Sequence, residues 1–153
     1  MAATIEQVED AIISALEPLK QSLGVRTIKT YGGELETEEE VKAITLFPAI
    51  YIVYGGSDYE EHGRRKVERM TFHVLACDRS LRSEAEARRG GTRNPGVYAM
   101  LEAIRDALYG ETIGLGPETF PFRLVRQGAI WFSATTCIYG AEYETAQQHL
   151  YPF

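Results

Sequence analysis

The sequence predicts an α+β domain, with helices packed on one face of a mixed or antiparallel β-sheet. Three observations carry this. Two stretches place apolar residues at helical spacing behind capping residues, Ile5–Leu23 and Val97–Leu108. Several shorter stretches alternate, or run apolar on both faces, as strands do. Glycine and proline punctuate the boundaries between them, and the resulting order is α-β-α-β-β-α-β-β.

The first helix opens at Thr4, with Gln7 three residues on completing a capping box. Ile5, Val8, Ile12, Ala15, Leu16, Leu19 and Leu23 then form one apolar stripe. Pro18 removes a backbone hydrogen bond and predicts a kink or an early stop, and Gly24 suits the residue after the helix. Val25–Tyr31 alternates as a strand until Gly32-Gly33. Thr37 and Glu40 repeat the capping-box pattern for a short helix reaching about Ile44.

Ala49–Tyr54 is rich in β-branched and aromatic residues on both faces, which predicts a central strand. Gly55–Gly63 reads as a polar loop and Arg65–Cys77 as the returning strand. The arginine-rich stretch 78–94 is a long connection with a helical turn at Glu84–Arg89. Asn94 is the expected cap of the next helix, with Pro95 at its first position. Val97, Met100, Leu101, Ile104 and Leu108 form the buried stripe of that helix, and Gly110 ends it. Strands around Phe122–Gln127 and Ile130–Glu144 close the chain. Gly128 is the turn residue between them, and Gly140 marks a bulge or a close backbone approach.

A length of 153 residues, with 44% hydrophobic and 25% charged residues, is that of one domain able to bury a core. The reading is therefore a single domain over 1–153, with an arginine-rich loop 78–94 and a C-terminal tail 146–153. No apolar run approaches the roughly eighteen residues that span a bilayer, and Met1–Asp10 is acidic, without a signal-peptide core. Two cysteines, Cys77 and Cys137, match neither a disulfide framework nor a zinc signature.

The net charge of −6 hides a division. Residues 1–61 carry four basic and twelve acidic side chains, 62–93 nine and four, and 94–153 three and six. Charge segregated in this way fits either a solvated loop or head-to-tail self-association, in which two different surfaces of one subunit meet.

No catalytic set emerges. The Gly-Gly pairs at 32–33, 55–56 and 90–91 lack the lysine and helix start of a phosphate loop, and read as tight turns. On a strand, His73 and Cys77 lie roughly 13 Å apart, too far to share one metal. No serine sits in a nucleophile elbow. The expectation is a non-enzyme without metal or cofactor.

The cluster Arg79, Arg82, Arg88, Arg89 and Arg93 has two readings. One is contact with carboxylates of a neighbouring subunit, for which Glu36, Glu39 and Glu40 are the natural mates. The other is a nucleic-acid module, to which Arg64, Arg65 and Lys66 would add a basic strip facing DNA or a tube. The absence of interleaved aromatics and the acidic balance elsewhere favour subunit contact. At the C-terminus, Tyr151 and Phe153 make an apolar end suited to docking.

The order and spacing of VRTIKTYGGEL (25–35), FPAIYIVYGG (47–56), RSEAEARRG (82–90) and GVYAMLEAIR (96–105) resemble a family of small, tail-terminator-like tail proteins of Mu-like contractile-tailed phages and prophages. The likeness runs from the first helix to about Leu115. It implies a structural virion protein assembled in the host cytoplasm, a homohexameric ring at the head-proximal end of the tail. The implied partners are further copies of itself, the tube and sheath proteins and the head-tail connector or neck protein, with DNA met only as it passes through the ring and no membrane. A neck or tail-completion adaptor is the alternative within the same class.

Overall fold

The computed structural model describes residues 2–32, 37 and 46–150. The short helix expected from Thr37 to about Ile44 lies outside the described residues, Thr37 itself excepted.

Helix α1 spans Ile5–Leu16 behind the capping box expected at Thr4 and Gln7. It stops short of Pro18, which caps the one-turn helix α2 (Leu19–Ser22), and Gly24 follows at φ 70°. Strands β1 (Thr27–Thr30), β2 (Ala49–His62) and β3 (Arg65–Arg79) precede two helices, α3 (Glu84–Arg89) and α4 (Val97–Leu108). Strands β4 (Arg123–Phe132) and β5 (Thr136–Leu150) complete the chain. One five-stranded sheet results, in the order β1-β2-β3-β5-β4, with β1 parallel to β2 and every other pairing antiparallel.

Helices α1 and α4 cover one face of the sheet. Val8, Ile12 and Leu16 of α1 and Val97, Met100, Leu101, Ile104 and Leu108 of α4 meet Ile50, Ile52, Met70, Phe72, Val74, Ala76, Ala141 and Tyr143. The opposite face carries a smaller cluster of Ala49, Tyr51, Leu75, Cys77 and Ile138, flanked by Phe47 and Trp131. Burial on both sides explains why the β2 sequence is apolar on alternate and intervening positions alike.

Four expectations are corrected. The segment 55–63 is not a loop: β2 continues to His62, and the turn comes at Gly63 (φ 64°) and Arg64. Gly55 is the extra residue of a bulge between Tyr54 and Gly56, and a Cβ there would lie 2.9 Å from Nε2 of His73. Gly128 is not a turn either. It pairs with Gly140 inside the β4–β5 ladder, and the hairpin turns at Ser133–Thr135. Asn94 does not cap α4, whose N-cap is Gly96. Strand β5 also runs through Leu150, so the first residues assigned to a C-terminal tail are sheet. Gly140 does sit at a close approach, 2.6 Å from its would-be Cβ to Cδ1 of Ile130.

Beyond the helices the covered face turns polar. Glu68, 7% exposed, accepts hydrogen bonds from the Ser57 hydroxyl (2.7 Å) and the Tyr59 hydroxyl (3.1 Å), and its other oxygen lies 3.0 Å from Nε2 of His149. Burial raises the Glu68 pKa, but these three hydrogen bonds outweigh it and hold the carboxyl below its ordinary range.

Candidate subunit interface

The arginine-rich connection is built around one buried carboxylate at the end of β3. Asp78 is fully buried, and it accepts hydrogen bonds from the Asn94 amide (2.9 Å), the Gly96 N–H (2.8 Å) and the Arg79 N–H (2.8 Å). Desolvation nonetheless leaves its pKa raised, because three donors only partly offset the loss of water. Asn94 also donates to the Glu86 carbonyl at 2.8 Å, so one side chain ties α3 to the start of α4. Ser83 caps α3, and Ser80 donates to Glu86 at 2.9 Å. The arginine-rich connection keeps the helical turn expected at Glu84–Arg89 and is held as one platform.

That platform sorts the five arginines. Arg79 lies with its guanidinium 4.4 Å from the centre of the Phe47 ring and its Nε 3.3 Å from the Thr136 hydroxyl. Arg88 is committed within the chain as well, donating to Glu84 (3.1 Å) and to the Tyr98 hydroxyl (3.3 Å). The hydrogen bond to Tyr98 is the largest of the contacts that raise its pKa. Arg82 reaches Glu86 only at 3.8 Å and stays largely in solvent. Arg89 and Arg93 are exposed and make no ion pair among the described residues. Beside them Leu81 is 89% exposed, at the mouth of a cavity of about 320 Å3 lined by Arg79, Arg82, Glu86 and Arg93.

Arg64, Arg65 and Lys66 do not extend this patch. They sit at the β2–β3 turn, and the fifteen residues of β3 separate Arg65 from Arg79 by roughly 45 Å at about 3.3 Å per residue. Lys66 packs over the Tyr59 ring at 4.4 Å. What is one basic segment in sequence is two separate patches on the molecule.

The expected acidic mates Glu36, Glu39 and Glu40, and the docking residues Tyr151 and Phe153, lie outside the described residues. In sequence the acidic segment follows β1 and precedes β2. The arginine connection leaves the end of the central strand β3, with Arg79 over Phe47 just before β2 on one side and Glu84 and Arg88 sharing a surface hollow with Phe132 of β4 and Tyr139 of β5 on the other.

Sequence reasoning missed Asp78, Leu81 and the exposed β4 residues Val125, Ile130 and Phe132. Leu81, a lone large aliphatic between Ser80 and Arg82, is a signal that was present. Asp78 gave none, since a buried carboxylate inside a charged stretch reads as one more surface acid. Among the described residues no three His, Cys, Asp or Glu side chains gather where they could hold a metal, and no helix is long and apolar enough to cross a membrane.

The fold matches a chain from the virion of a native gene transfer agent (GTA) particle, with a TM-score of 0.60 at 14% identity, covering 93% of this chain and 95% of that one. Residues 4–147 match the family model described as Bacteriophage Mu, Gp37, and the chain belongs to that family. The resemblance to small tail proteins of Mu-like phages is therefore borne out at the level of the family. Comparison with curated proteins gives no match.

Proposed function

We propose that this chain is a phage structural protein, the tail terminator, a ring that binds the end of the growing tube and sheath and offers the head-side joining surface. One observation carries the reading. The platform built on Asp78 turns Arg82, Arg89, Arg93 and the exposed Leu81 outward, so the subunit presents a basic, partly apolar face that an otherwise acidic chain can complement in a second copy. Unlike faces that complement each other generate a closed ring when the rotation between copies closes. Leu81, Arg82, Arg89 and Arg93 are the outward groups of one face, and Glu36, Glu39 and Glu40 are assigned to the other.

Termination by such a ring is steric. It seats on the last tube layer and presents, on its far side, no surface that a further tube subunit recognises. The neck or tail-completion adaptor remains the second reading, favoured only by the same family membership. Loss of the gene separates the two. A terminator's absence gives tails of uncontrolled length, whereas an adaptor's absence gives tails of normal length that fail to join heads. Normal-length tails in the deletion sink the terminator reading.

A further inference from the structure

Two stretches of backbone on opposite edges of the sheet have no strand beside them among the described residues. On one side, β4 pairs with β5 alone along its whole length. On the other, β1 covers β2 only from Ala49 to Ile52, and from Val53 to His62 the outer edge of β2 has no strand beside it among the described residues. The remaining outer edge, that of β5 beyond β4, is occupied: Phe120 N–H donates to the Ala146 carbonyl (2.8 Å) and Gln148 N–H to the Glu118 carbonyl (3.0 Å).

The open edges differ in chemistry. The open part of β2 carries Asp58, Glu60 and Glu61 with no lysine or arginine, while β4 carries Arg123 and Arg126 with no acid. β4 also exposes apolar side chains, Val125 (41%), Ile130 (57%) and Phe132 (46%). Val125 and Ile130 are the extra residues at its two bulges. A long open edge with exposed apolar groups is a template for another strand, and a chain that keeps one has a use for it.

Direction and facing also agree. Successive antiparallel pairings from β2 through β3 and β5 make β4 run opposite to β2. A copy related by simple rotation about a ring axis therefore brings its β2 antiparallel to β4, with like faces of the sheet aligned. Arg123 is level with Glu144, Thr71 and Gly56, and residues two and four beyond Gly56 on the same face are Asp58 and Glu60. The arginines of one copy and these acids of the next thus share one face of the joined sheet, as cross-strand pairs of opposite charge do. Because β4 runs away from the β2–β3 turn and the open part of β2 runs toward it, the two strands meet only with a stagger. Strands tilted about 35–45° to the axis, as in closed sheets, supply one.

We propose that β4 of one copy adds to the open outer edge of β2 in the next, forming a sheet that continues around the ring. The proposal rests on the ring reading above and specifies its backbone contact.

Cysteine pairs test it. Arg126→Cys is combined with Asp58→Cys, Glu60→Cys or His62→Cys, the native Cys77 and Cys137 being fully buried. In rings or tails assembled from mixed single variants, oxidation is expected to give heterodimers holding one of each substitution, and doubly substituted chains a ladder up to ring size. Homodimers through Arg126→Cys mean β4 pairs with β4, and overturn the proposal. So do rings that still limit tail length while none of the three pairs cross-links, an outcome that leaves the terminator reading standing. Chains that neither form rings nor limit tail length sink both. Arg123 and Arg126 also pair within the chain, with Glu144 (3.4 Å) and Glu142 (3.5 Å), so the charge reversal is read through its rescue: Arg123→Glu with Arg126→Glu should weaken assembly about a hundredfold, and Asp58→Arg with Glu60→Arg should restore it. Unchanged assembly of the glutamate variant, with its melting temperature intact, also overturns the edge pairing.

Discussion

Gly96 and Gly90 cross so closely that a Cβ on Gly96 would lie 2.2 Å from the Gly90 backbone nitrogen. Both residues have positive φ, 83° and 95°. Neither space nor backbone conformation admits a side chain, so the two glycines act as one joint between α3 and α4. Gly96→Ala is expected to cost about 3 kcal/mol or more, since the obstruction is backbone and cannot swing away. Chemical denaturation checks it; a loss below about 0.5 kcal/mol means the crossing is looser than described.

Asp78 holds the same joint from beneath. Asp78→Ala leaves the Gly96 N–H and the Asn94 amide without their buried acceptor. A loss of about 2–4 kcal/mol is expected, and Gly96 should exchange its amide hydrogen faster than the rest of α4. Wild-type exchange at Gly96 contradicts the role given to Asp78.

Acid should act through Glu68. Its pKa in the folded chain is below the ordinary 4.5, so its contribution is fully present above that value and is lost as pH falls through the folded pKa. Glu68→Gln should therefore lower stability at neutral pH and flatten the decline in stability below about pH 4.5. Asp78, with a raised pKa, works in the opposite sense, and its protonation on acidification relieves a desolvation cost. Parallel acid-denaturation curves for wild type and Glu68→Gln rule out the Glu68 contribution.

Ile52 is 1% exposed between β1 and β3. Ile52→Asp puts a carboxylate into the core, at a cost expected to exceed about 4 kcal/mol, and should abolish a cooperative melt. A near-native transition would mean that the centre of the sheet is misassigned.

For the arginine connection, Arg82→Glu, Arg89→Glu and Arg93→Glu together should prevent ring formation with little change in stability, because none of the three is buried. Arg88 is unsuitable for this test, since its replacement also breaks contacts to Glu84 and Tyr98 within the chain. Rings of normal size from the triple variant, seen by light scattering, remove the connection from the interface.

Local signals in the sequence were dependable where local physics decides. The Thr4–Gln7 capping box, the break at Pro18, and the apolar stripes of α1 and α4 all stand as read. They were misleading where pairing decides. Gly55, Gly56, Ser57 and Asp58 are turn-forming residues by composition, yet thirteen register pairs with β3 draw them into strand. Gly128 likewise belongs to a ladder rather than a turn because Gly140 lies opposite. For the interface, charge segregation was legible along the chain, but sequence distance hid that β3 holds Arg65 and Arg79 at opposite ends. The open edges of β2 and β4 were invisible, since strand order is not written in any one strand.

The two thiols have a practical consequence. Cys77 is buried in the smaller cluster on the outer face of the sheet, and Cys137 among the residues beneath the helices. Burial pushes both pKa values up, that of Cys137 to about 12, so neither is a nucleophile in the folded chain at neutral pH. Each therefore becomes modifiable only when its own layer opens. The rates at which an alkylating reagent consumes the two thiols report, with no added label, whether the helices lift from the sheet before its other face is uncovered or both layers part in a single event.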